Sequence, residues 1–69
     1  MKNGKTPNED VLNVVRNSNK PVHVSFVSQM AGISWGTAKE TLLELAAKGE
    51  ISFTDTTGGL IFSRVNDRG

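Results

Sequence analysis

The sequence predicts a small α+β domain: three helices, a very short strand and a C-terminal β-hairpin. Three observations carry this. Apolar residues recur at helical spacing in three stretches ending near Asn17, Gly32 and Gly49, each closed by a residue type that stops helices. Two alternating apolar–polar runs follow, 51–54 and 60–65, separated by a glycine-containing loop, 55–59, as a hairpin requires. The chain has 69 residues, enough for one core and no second.

The elements follow in chain order. Residues 1–5 show no periodicity and carry Lys2 and Lys5, so they read as a flexible basic arm. The folded domain is expected over 6–65. Thr6-Pro7-Asn8-Glu9 is a helix start. Thr6 is placed to cap, Pro7 suits the first helical position, and Glu9 is placed to reach back as in a capping box. Val11, Leu12 and Val15 then mark one buried face. Valines are poor helix formers, so this helix depends on packing. Asn17-Ser18-Asn19 ends it, and Lys20-Pro21 keeps the chain extended. Val22-His23-Val24 reads as a short strand with both valines inward and His23 outward.

Ser25 is the expected N-cap of a second helix over 26–31, with Phe26, Val27, Met30 and Ala31 as its apolar pairs. Gly32 ends it, as a residue of positive φ would. Ile33 turns into the core and Ser34 caps a third helix from Trp35 to about Lys48. Ala38, Leu42 and Leu45, with Ala46 beside them, form its core stripe. Gly36, Lys39, Glu40, Leu43, Glu44 and Ala47 lie outward. Gly49 ends the helix, and Lys48 complements its negative end. In the last strand Leu60, Phe62 and either Val65 or Ile61 compete for the inner face. Residues 66–69 are a polar tail.

Composition narrows the function. Eight Lys/Arg against seven Asp/Glu leave a net charge of +1, which disfavours tight non-specific binding to phosphates but permits a local patch. There is no cysteine and only one histidine, so no thiolate or His-cluster metal site is expected. No nucleophile–base pair or phosphate loop is visible, and Gly58-Gly59 alone is a turn. Neither an enzyme nor a cofactor or small-molecule ligand is expected. No apolar run approaches membrane-spanning length and no signal-peptide pattern is present, so the expected location is cytoplasmic.

Two runs carry a resemblance. Val27-Ser28-Gln29-Met30-Ala31-Gly32-Ile33-Ser34-Trp35-Gly36-Thr37-Ala38 resembles the helix-turn-helix of the lactose-repressor family and of many winged-helix regulators. Leu42 to Ile51 resembles the Leu-x-x-Leu-x-x-Lys-Gly-x-Ile ending of winged-helix regulators. Together they make the chain similar to the winged helix-turn-helix family, with the hairpin as its wing. The resemblance implies that the third helix enters the major groove of double-stranded DNA. It implies contacts from Ser34, Trp35, Gly36, Thr37, Lys39 and Glu40, and backbone contacts from the wing tip at Thr56, Thr57 and Gly58. Lys48 and Arg64 are candidate flanking cations.

This sequence departs from the family where Glu40, Leu43 and Glu44 replace common basic positions and where the wing tip lacks Lys and Arg. The expected function is therefore that of a small DNA-binding protein, a transcriptional regulator or a plasmid or phage accessory factor. A homodimer would form through the arm, the first helix or the wing. The alternative is a winged helix that docks a protein partner through Trp35 and Leu43. In that respect Val11-Leu12 to Arg16 loosely resembles the winged helix ending the middle subunit of replication protein A.

Overall fold

A computed structural model of the protein describes residues 7–65. The order is α1 (Pro7–Asn17), β1 (Val22–His23), α2 (Val24–Ala31), α3 (Trp35–Ala47), β2 (Ile51–Thr56) and β3 (Gly59–Arg64). The three strands form one antiparallel sheet in the order β1-β3-β2. The cap at Thr6, the arm 1–5 and the tail 66–69 fall outside the described residues.

The core forms where the helices cover one face of the sheet. Val11 and Val15 of α1, Val24 and Val27 of α2, and Ala38, Leu42 and Leu45 of α3 are buried with Val22, Ile51 and Phe62 of the strands. Phe62 is fully buried and pairs directly with Val22 on one side and Phe53 on the other. Directly paired residues share a face, so Ile51, Phe53, Asp55, Leu60, Phe62 and Val22 lie on the helix side. Ile61 is placed on the opposite face with His23. Leu60 and Phe62 thus take the inner positions, and Val65 is exposed.

Three expectations are corrected. The strand at β1 ends at His23, and Val24 opens α2. His23 is the N-cap, with no side-chain capping bond, and Ser25 lies inside the helix. A capping side chain is dispensable here because both flanking valines are buried and fix the chain's direction. The buried face of α2 is Val24, Val27 and the half-buried Ala31, at spacings of three and four. Phe26 and Met30 point outward, 42% and 62% exposed. Extending α2 back to Val24 rotates the apolar pairs out of register with the core.

The hairpin loop is also tighter than 55–59. Thr56 pairs with Gly59, leaving Thr57-Gly58 as a two-residue turn. Among the described residues only Gly32, Gly49 and Gly59 take positive φ. The left-handed conformation therefore falls on the residue after the turn, with φ 120° at Gly59. The Thr56 hydroxyl donates to the Gly59 carbonyl at 2.6 Å, bracing the turn from the side. Gly32 (φ 70°) ends α2 and Gly49 (φ 80°) follows α3, as their helix-stopping roles require.

Candidate nucleic-acid interface

The α2–α3 connection consists of residues 32–34, and its geometry is set by two hydrogen-bonding devices. The Ile33 amide donates to the Ser28 carbonyl at 3.1 Å, which closes the end of α2. Ser34 is extended (φ −69°, ψ 157°) and its hydroxyl accepts from the Thr37 amide at 3.3 Å. The same hydroxyl donates to Thr37 Oγ1 at 2.9 Å. Ala38 makes the first α-helical bond, to the Ser34 carbonyl at 2.9 Å.

These bonds decide which donors face solvent. Ser34 caps the Thr37 amide, and α-helical pairing begins with Ala38, so the amides of Trp35 and Gly36 lie in the first turn with no i−4 partner in the helix. Thr37 accepts from Ser34, so its own hydroxyl hydrogen points elsewhere. Gly36 is exposed, and a Cβ added there would meet nothing within 4 Å. The start of α3 therefore has two amides outside the α-helical ladder and one hydroxyl that is not donating to Ser34, at the positive end of the helix dipole.

Trp35 is 53% exposed at the start of α3. Lys39, one turn on, holds its ammonium 5.5 Å from the indole centroid. This cation–π contact fixes a positive charge beside the helix start. Glu40 is exposed next to it.

The hairpin tip comes to the same place. Trp35, Gly58, Gly59 and Leu60 line one cleft of about 210 Å³ with His23, Val24 and Ser25. Of the sequence-predicted residues, Ser34, Trp35, Gly36, Thr37, Lys39 and Glu40 share the first turns of α3, and Gly58 faces Trp35 across this cleft. Thr56 and Thr57 are exposed on the hairpin beside it. His23 and Ser25 were missed as neighbours of the site. Only the pairing of His23 with Ile61, which brings β1 beside β3, places them there.

Lys48 and Arg64 do not join the cluster. Lys48 sits at the other end of α3, roughly 20 Å along the axis from Trp35, and pairs with Glu44 at 3.9 Å. Arg64 is at the end of β3 away from the turn and donates to the Arg16 carbonyl at 3.5 Å, at the end of α1. Glu44 also accepts from Asn8 at 3.4 Å, so this acidic side chain ties α3 to α1. Among the described residues no group of three or more His, Asp or Glu is placed to hold a metal. No described helix is long and apolar enough to cross a membrane. No protein-family model, curated protein or solved structure matches the chain.

Proposed function

We propose that this domain is a winged helix-turn-helix that binds double-stranded DNA. In this reading the first turns of α3 enter the major groove and the β2–β3 hairpin is a wing against the adjacent backbone. The observation that carries it is the convergence of the α3 start and the hairpin tip on one cleft at Trp35, Gly58 and Gly59. The amides of Trp35 and Gly36 and the Thr37 hydroxyl supply donors for a phosphate. Lys39 reaches a phosphate or a guanine edge, and Glu40 accepts from cytosine N4. Thr56, Thr57 and Gly58 offer backbone contacts without a cation. The role that fits is a transcriptional regulator or a plasmid or phage accessory factor.

The charge pattern sets the strength. With a net charge of +1 and Lys39 as the cation at the helix start, few counterions are released on binding. Each neutralised phosphate contributes about 0.9 to the slope of log K against log salt. Lys39→Ala should therefore weaken binding and flatten this slope by roughly one unit. Unchanged affinity and slope would remove Lys39 from the phosphate contacts.

The broader test is an amide-resolved NMR titration with a mixed-sequence duplex at low salt, repeated at higher salt. Salt-sensitive shifts at 34–40 and 56–59 are expected. No shifts at low salt would overturn the DNA reading. They would favour a protein partner instead, for which Trp35 and Leu43, 53% and 36% exposed on α3, form the apolar contact.

A further inference from the structure

The cations away from the α3 start are not evenly balanced. Lys48 is paired with Glu44, but Lys20 and Arg64 line one cleft of about 360 Å³ together with Ser18, Asn19, Pro21 and Ser63. The pairing of β1 with β3 brings them together. Continuing the register Val22↔Phe62 by two residues sets Lys20 against Arg64. No carboxylate lines the cleft. Neither cation is in an ion pair among the described residues. Like charges set against each other at a strand pair are destabilising, and a bound anion removes that cost.

The remaining groups supply donors for an oxyanion. Arg64 gives one N–H to the Arg16 carbonyl at 3.5 Å, which ties it to the end of α1 and leaves its other N–H groups for a ligand. The Ser18 hydroxyl donates to the Val14 carbonyl at 3.0 Å, so its proton is not offered to the cleft. The Asn19 amide and the Ser63 hydroxyl make no hydrogen bond among the described residues and complete the donor set.

We propose that this cleft binds a phosphate monoester, with Lys20 and Arg64 on the phosphate and Asn19 and Ser63 as neutral donors. Two cations match the charge of about −1.5 to −2 that such a phosphate carries near pH 7. A carboxylate or a phosphodiester carries a single charge and leaves one cation uncompensated. The volume lies within the range of small-molecule sites, about 300–1,000 Å³, so the phosphate arrives on an organic group rather than as a bare ion. Lys20 and Arg64 are far apart in the chain, so no sequence motif marks the site. Arg64 is at the end of β3 away from Gly59, roughly 17 Å along the strand. The cleft is thus separate from the proposed DNA face.

The test is an amide-resolved NMR titration of the full chain at constant ionic strength, with adenosine monophosphate, inorganic phosphate, adenosine and acetate as separate probes. The monophosphate and inorganic phosphate should give saturable shifts confined to 18–20 and 63–64, the monophosphate binding tighter. Adenosine and acetate should give none there. Lys20 has no bond to lose among the described residues, so Lys20→Gln should keep the wild-type spectrum elsewhere and weaken the monophosphate about tenfold. Arg64→Gln, which also releases the tie to Arg16, should lose at least as much. Shifts that rise without saturating at every lysine and arginine alike overturn the proposal. So does acetate that saturates the same amides as tightly, inorganic phosphate that binds better than the monophosphate, or a Lys20→Gln variant that binds unchanged. A duplex without terminal phosphates that shifts 18–20 and 63–64 as strongly as the monophosphate overturns it too, and assigns the cleft to the nucleic-acid backbone.

Discussion

Replacing Phe62 with alanine is expected to remove a large part of the domain's folding free energy. The side chain is fully buried and is among the largest of the core. It stands at the centre of the sheet, opposite Val22 and Phe53, with helices over it. Phe→Ala at such a site costs about 3–5 kcal/mol. Stability of roughly 0.05–0.15 kcal/mol per residue gives a domain of this length about 3.5–10 kcal/mol in total. The loss therefore removes from about 30% of the stability to all of it at the lower end. Urea denaturation followed by circular dichroism measures it. A midpoint within experimental error of the wild type would show that Phe62 does not organise this core.

Thr37→Glu is expected to separate folding from DNA binding. Ser34 caps α3, and a glutamate three residues later completes a capping box, with its carboxylate near the positive end of the helix. Thermal stability should be unchanged or raised, by about 0.5–1 kcal/mol. The same carboxylate stands among the donors proposed to meet DNA phosphates. A unit charge about 4 Å from a phosphate costs about 1 kcal/mol in bulk water and about 4 at an effective dielectric near 20. Affinity for a duplex should fall tenfold or more, measured by fluorescence anisotropy at low salt. A stable variant that still binds as well as wild type would remove the start of α3 from the interface.

How much of this was legible in the sequence varies with how local the signal is. Gly32, Ser34 and Gly49 mark their turns correctly because a positive φ or a capping hydroxyl is a property of one or two residues. The α3 stripe at Ala38, Leu42 and Leu45 was legible because its spacing repeats over several turns. Thr41 was not, because a threonine reads as polar. It is buried with its hydroxyl donating to the Thr37 carbonyl at 2.8 Å, which satisfies it within the helix. The start of α2 was misplaced because Val24 fits a strand and a helix equally, and tertiary packing decides between them. For the site, the α3 residues were found as one cluster because they are neighbours in sequence. The cleft with His23, Ser25 and Gly58 was not, since it exists only once β1 pairs with β3. Where Lys48 and Arg64 lie relative to that cluster was not legible, because charge alone does not say which end of an element a side chain occupies.

The pairing of β1 with β3 also governs when the chain can fold. Val22 meets Phe62 across 40 residues (62 − 22). The helices end at Ala47, before β3 begins at Gly59, so until β3 is made their shared face lacks its central ring and the strand that ties it down. Contacts this distant in sequence form late, because the intervening chain must first be closed. Until then the helices have one another to pack against, but not Phe62 at the centre of their shared face. The core is therefore closed only once Phe62 has reached Val22.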